Sequence, residues 1–172
     1  MYWFNIKNRI ETNIDVVFTY SPPLAWAVLG RKIKNKTRAR HILNIQDIFP
    51  QNAIDLGVLK NRLLIKYFEY QEKNVYESAD KLTSHTKMSR KFLISNKGVP
   101  EPLIELITNW IDIETYTNIS DTNYFRKKYG LENKFIFLFP GVIGPSQGLD
   151  FIIEIAKKVK GEFSDICFLF VG

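Results

Sequence analysis

KFIFLFPGVIGPSQGLDFIIEIAKKV, residues 134–159, carries the decision about fold. An unbroken apolar run opens it, and such a run marks a strand buried on both faces, as in a parallel sheet. Pro140, two glycines three apart and a polar turn follow. After Gly148, the positions Ile152, Ile155, Ala156 and Val159 recur at helical spacing, which predicts a helix with those residues inward. A strand, a glycine turn and a helix can seat a phosphate group or can simply reverse the chain. The residues by themselves leave both open. DICFLFVG, residues 165–172, predicts the next strand.

The same alternation runs upstream. DVVFTY (15–20) reads as a strand stopped by Ser21-Pro22-Pro23, and LAWAVLGRKIK as a short helix. HILNIQDIF (41–49) reads as a second strand, halted at Pro50. NRLLIKYFEYQEKNVYESA is the clearest helix, with Leu64, Phe68, Val75 and Ala79 on one face. KLTSHT (81–86) and LIELIT (103–108) predict two further strands, with a helix over MSRKFLISN closed by Lys97-Gly98. NWIDIETYTNIS has no clean period and reads as a linker, after which Asp121 is placed to cap a helix over TNYFRKKYG. Strands separated by helices predict an α/β fold of parallel βαβ units. The expected division is residues 1–108, a linker at 109–120, and residues 121–172. Both parts look incomplete, because two parallel strands bury little core and the first part opens almost directly in a strand. The expectation is therefore an internal piece of something larger.

Composition narrows the function classes. Hydrophobic residues make up 45% and aromatic residues 14%, enough for a packed core. The apolar runs are too short to span a bilayer, and Asn5, Lys7, Asn8 and Arg9 break any signal-peptide core in MYWFNIKNRIE. Cys167 has no partner in the chain and reads as a buried packing residue of a reducing compartment. His41 and His85 are the two histidines, without zinc-ligand spacing, so neither a metal site nor a cofactor is expected. The net charge of +6 suits an anionic partner, and six of the cations crowd RKIKNKTRAR, residues 31–40. That segment reads as a solvated helix end first and a binding patch second. No nucleic-acid motif accompanies it, so nucleic acid is not an expected partner.

Four motifs then occur in order: SPP (21–23), QDIFPQNAIDLGVL (46–59), ITNWID (107–112) and PGVIGPSQGLDFI (140–152). In that order and spacing the chain resembles the family 4 glycosyltransferases of GT-B fold, especially the bacterial branch that builds capsule, O-antigen or colanic-acid polysaccharides. The resemblance covers about Ile14 to Gly172. It implies parts of two Rossmann-like domains facing across a cleft, an acceptor-side domain followed by a nucleotide-sugar domain. It also implies transfer with retention, without a bound metal, from a nucleotide-sugar donor to a lipid-linked or saccharide acceptor. Backbone amides and a helix N-terminus would then stabilise the leaving diphosphate.

Carried onto this chain, the resemblance makes Gly141, Gly144, Gln147 and Gly148 the donor loop. Asn109 sits at the domain crossover near the donor. Asp47 becomes the candidate catalytic residue, orienting the acceptor or stabilising a sugar-like cation, with a plain turn cap as its other reading. Where relatives carry an arginine after the first glycine and a lysine before the last, this chain has Val142, Ser146 and Gln147, so the loop holds no fixed positive charge. The glycine-rich loop that opens the family's first domain and the distal glutamate pair that grips the donor do not occur in these residues, and the chain by itself is expected to be inactive. A cytoplasmic location is expected, with Arg31, Lys34, Lys36 and Arg38 as a peripheral contact at the inner membrane face. The competing class is a non-catalytic α/β module that binds an anionic membrane or a protein through residues 31–40.

Overall fold

A computed structural model describes residues 13–117 and 123–172. The chain divides between Trp110 and Ile111 into two compact units, each with its own parallel sheet. The signal-peptide reading of the first eleven residues, the linker positions 118–120 and the cap at Asp121 lie outside the described residues.

Unit 1 runs β1 (Val16–Ser21), α1 (Leu24–Thr37), β2 (Arg40–Ile45), α2 (Gln51–Asp55), α3 (Arg62–Ser78), β3 (Lys81–Ser84), α4 (Lys87–Lys97) and β4 (Ile104–Leu106). The strands pair in sequential order, all parallel, with Val16 beside Arg40, Ile42 beside Lys81 and Leu82 beside Ile104. A sequential parallel sheet joined by right-handed crossovers carries its helices on one face. The burial follows that rule. Leu43, Ile45, Leu82 and Ile104 point to the helix side and are fully buried with Val75 and Leu93, whereas Val16, Phe18 and Tyr20 stand exposed on the other face.

Local chemistry sets the ends of the helices. Asn61 Oδ1 accepts from the amides of Leu63 and Leu64 and starts α3. Thr86 Oγ1 accepts from the Ser89 amide at the start of α4, and Gly98, at φ 67°, closes it as the sequence predicts. Lys34 and Lys36 occupy the last turn of α1, where cations complement the helix dipole. Strand β2 ends at Ile45 rather than running to Phe49. The amides of Gln46 and Asp47 both turn to the Ser21 carbonyl, and Phe49 packs edge-on against Phe68 with ring centres 5.1 Å apart. On α3, Val75 is buried and Phe68 packs on the core, but Leu64 is exposed and Ala79 is buried just past the helix end.

The buried polar residues of unit 1 include His41 and Glu72. His41 Nε2 lies 2.7 Å from Thr19 Oγ1, while Nδ1 has no partner among the described residues. Burial first, then the nearby Lys34 ammonium, lowers the His41 pKa from its ordinary 6.5 against the pull of Asp80. Gly30 in α1 leaves room for that ring, since a Cβ there would strike His41 and the Thr19 methyl. Glu72, 2% exposed, takes Lys97 Nζ at 3.0 Å on one oxygen and the Tyr76 hydroxyl at 3.0 Å on the other. Burial raises its pKa, and the Lys97 and Tyr76 contacts oppose that rise.

Unit 2 contains a one-turn helix α5 (Glu114–Thr117), α6 (Tyr124–Lys128), β5 (Phe135–Pro140), α7 (Leu149–Val159) and β6 (Ile166–Val171). Strands β5 and β6 pair in parallel, with Phe137 and Phe168 stacked at 5.2 Å. No described residue of this unit is buried. Ile152, Ala156 and Val159 on α7 are half-buried, but Ile155, expected inward, is exposed. Cys167, expected buried, is a half-buried free thiol. Two strands and one long helix give a single thin layer of contact, too little to enclose a side chain. Among the described residues, no helix is long and apolar enough to cross a membrane.

Candidate functional site

In parallel α/β sheets, ligands collect beyond the carboxyl ends of the strands, where loops and helix N-termini converge. In unit 1 that end lies after Ser21, Ile45 and Ser84. Asp47, just past β2, lines a cleft of about 400 Å³ there, together with Gln51, Asn52 and Asp55 from α2 and its approach and His85 past β3. Met88 and Phe92 from α4 supply an apolar wall. Carboxylates and amides beside an apolar wall suit a ligand with several hydroxyls, which needs both acceptors and donors at fixed positions.

His85 Nδ1 lies 3.4 Å from the Ile45 carbonyl oxygen. A carbonyl only accepts, so in that contact Nδ1 carries a proton. Sequence reasoning weighed His85 as a metal ligand and passed over it as a cleft residue, because nothing in its neighbours' spacing shows that β2 and β3 end side by side. Asp55 was missed for the same reason. Asn109 exchanges amide hydrogen bonds with Gln46, at 3.2 and 3.3 Å, and Gln46 also donates to Asn44 Oδ1 at 3.1 Å. This ladder of amides holds the chain beside Asp47. Asn109 is thus bonded to Gln46, the sequence neighbour of the candidate catalytic residue, within unit 1.

The glycine loop of unit 2 is exposed except at Gly144, which is half-buried. The Gly141 amide is committed to the Val171 carbonyl at 2.8 Å, so this residue extends the sheet. Gly144 is extended, Pro145–Gln147 make one tight turn closed by the Gln147 amide on the Gly144 carbonyl at 3.0 Å, and Gly148, at φ 60°, caps α7. A side chain at residue 148 would be strained in that left-handed conformation. Asp150 lies in the first turn of α7, where its carboxylate meets the positive end of the helix dipole. The loop therefore offers an anion a dipole and backbone amides, with Asp150 competing for the same field.

The basic segment lies at the other end of unit 1. Arg31, Lys34 and Lys36 are on the last turns of α1, and Arg38 is its left-handed cap at φ 63°. Arg40 pairs with Val16 at the start of the strands, away from the Asp47 cleft. Lys34 is tied down, donating to Asp80 Oδ2 at 2.7 Å and to the Ser78 carbonyl at 2.8 Å. Asp80 also accepts from the His41 amide at 2.7 Å. Burial would raise the Asp80 pKa, but the Lys34 and His41 hydrogen bonds prevail and lower it. Among the described residues, no group of three or more His, Cys, Asp or Glu is placed to hold a metal ion.

The glycosyltransferase family 4 model matches residues 1–115. The chain is 26% identical over 164 residues to the glycosyltransferase WbjE of Pseudomonas aeruginosa, covering 92% of this chain and 39% of that protein. It is equally 26% identical over 164 residues to the colanic acid biosynthesis glycosyl transferase WcaI of Escherichia coli K12, covering 92% and 40%. The crystal structure of Anabaena HepE with UDP and glucose superposes with a TM-score of 0.65 at 16% identity, over 98% of this chain and 50% of that one. The chain thus spans about two fifths of the curated relatives' length.

Proposed function

The chain belongs to glycosyltransferase family 4, and from that premise we propose that its two units serve transfer of a sugar from a nucleotide-sugar to an acceptor in surface-polysaccharide synthesis. The observation that carries the reading is the family match over the unit whose strand ends form the Asp47 cleft. Unit 1 takes the acceptor. Asp47 orients a hydroxyl or offsets positive charge developing on the donor sugar, and the Gln46–Asn109 pair fixes the turn that presents it. Unit 2 takes the donor, with Gly144, Gln147 and Gly148 placing the diphosphate at the N-terminus of α7. Gly141 contributes by shaping the strand end, since its amide is already bonded.

Support for the nucleotide-sugar comes from the UDP bound in HepE, and for the polysaccharide setting from WcaI. Retention of configuration, a lipid-linked acceptor and a site at the cytoplasmic membrane face complete the proposal. The 172 residues alone do not turn over in this reading. Their diphosphate loop lacks the charge-assisted contact that an arginine or lysine would make, and unit 2 encloses no side chain among the described residues. The test is a radiolabelled transfer assay with UDP-glucose and a polyprenyl-linked saccharide acceptor. No product is expected from the chain alone, and turnover would overturn its inactivity. Loss of acceptor binding by Asp47→Ala, about tenfold, is expected in equilibrium titration; unchanged binding would remove Asp47 from the site.

A further inference from the structure

Most acids of unit 1 are answered by a cation. Glu72, Glu77, Asp80, Glu101 and Glu105 each form an ion pair with a lysine or arginine. Asp47 and Asp55 form none among the described residues, and both line the same cleft at the strand ends. Asp15 and Glu69 are likewise unpaired but lie outside it. Lysines and arginines number 24 in this chain against 18 acids, yet among the described residues none of them lines that cleft. An uncompensated negative site in a basic protein is a feature of the cleft and not of the surface at large.

The hydrogen bonds sharpen this. Gln51 Nε2 donates to Asp55 Oδ1 at 2.8 Å, so one turn of α2 holds that carboxylate in place. The second Asp55 oxygen and both Asp47 carboxylate oxygens accept no hydrogen bond among the described residues. A carboxylate only accepts, so the open positions call for donors on the ligand. A hydroxylated sugar ring supplies donors at its rim, and its C–H face suits the half-buried Ile48 and Phe92. A carboxylate or phosphate on that ring would bring acceptors and negative charge instead. It would meet like charge with no lysine or arginine in the cleft to offset it, and repulsion of this kind is how a site rejects one ligand in favour of another.

We propose that the Asp47 cleft selects an acceptor sugar without a carboxylate or phosphate, and that Asp55 is the residue that enforces the selection. The proposal rests on the reading of this cleft as the acceptor site and names the class of sugar it takes. An anionic linker, such as the phosphate of a lipid-linked saccharide, then stays outside the cleft. The transfer that makes the acceptor must also leave an uncharged sugar at its end.

The experiment is an amide-resolved NMR titration of the 172-residue chain with methyl α-glucoside and, separately, methyl α-glucuronide. These probes differ only in whether the sugar's last carbon is an alcohol or a carboxylate. Shifts at the amides of residues 47–55 and 85–92 report each affinity. At low salt the glucoside should bind about tenfold more tightly, and salt should shrink that ratio. Asp55→Asn should lower the ratio to about threefold, and Asp55→Lys should reverse it. A purely structural role for Asp55 would weaken both ligands alike and leave the ratio unmoved. The proposal is overturned if the wild-type chain binds the glucuronide as tightly as the glucoside, or if Asp55→Lys keeps the wild-type ratio. In either case glucoside shifts in the cleft would still uphold the acceptor reading. If neither glycoside moves these amides at about 100 mM, well above the millimolar range of weak sites, the acceptor reading fails and the proposal falls with it.

Discussion

The two units are built from the same motif, a parallel strand crossing over through a helix, yet they hold their residues very differently. Unit 1 pairs four strands and fully buries Leu43, Ile45, Leu82 and Ile104 beneath α1, α3 and α4. Unit 2 pairs two strands and buries no described residue, although β5 and β6 are the most apolar runs in the chain. Hydrophobicity of a strand is therefore not what creates a core. Enclosure is, and enclosure requires a covered face and enough neighbouring strands to carry that cover. The same chemistry should then cost very different amounts in the two units.

Ion pairs give the widest contrast. Lys97→Met leaves Glu72 as a buried carboxylate without its cation and should cost about 3–5 kcal/mol at neutral pH in urea unfolding followed by signals from unit 1. Lys157→Met removes a shorter contact, 2.7 Å, to Glu154, but both groups are mostly exposed, and the loss should stay below about 0.5 kcal/mol. Equal effects would break the comparison. Apolar truncation comes next. Leu43→Ala should cost about 3 kcal/mol, whereas Phe137→Ala, already 50% exposed, should cost about 1 kcal/mol.

Glycine sharpens the contrast further. Gly30→Ala would push a methyl into His41 and Thr19, and the overpacking of about 1–3 kcal/mol should outweigh the gain of up to about 1 kcal/mol in helix propensity. Gly148→Ala meets open space, and its cost is the left-handed backbone, about 1 kcal/mol. The smallest effect is the pH response of unit 1. His41 has a folded pKa below its ordinary 6.5, so the unfolded chain takes the proton first. Its contribution is complete above about pH 6.5 and is lost as pH falls toward the folded value. Glu72, with its pKa raised above 4.5, works in the opposite sense, favouring the fold at low pH and ceasing to do so as pH rises through its folded value. Urea midpoints measured between pH 7.5 and about pH 5.5 should fall for the wild type and fall less for His41→Gln.

The strands and the two long helices were legible because period and punctuation act locally. VVFTYS, RHILNI and FIFLFP announce themselves by apolar content, and Gly98 marks the end of α4. What stayed hidden depends on partners distant in sequence. Strand β2 stops at Ile45 because Ser21 captures two amides, and no feature of HILNIQDIF reveals that acceptor. The pairing of Asn109 with Gln46 joins residues 63 apart in sequence, which no local pattern announces. Helical periodicity placed Leu64 inward, because it cannot tell how far along a helix the core extends. The glycine loop could be read as a turn at Gly148, but not that Gly141 had already given its amide to Val171.

The most direct test of the transferase reading is an amide-resolved NMR titration of the 172-residue chain with UDP-glucose. Shifts are expected at the amides of residues 143–150, with those of residues 31–40 unmoved and affinity weak, near millimolar, because no fixed cation grips the diphosphate. Shifts confined to residues 31–40, or none at millimolar ligand, would contradict the assignment of the donor to this loop.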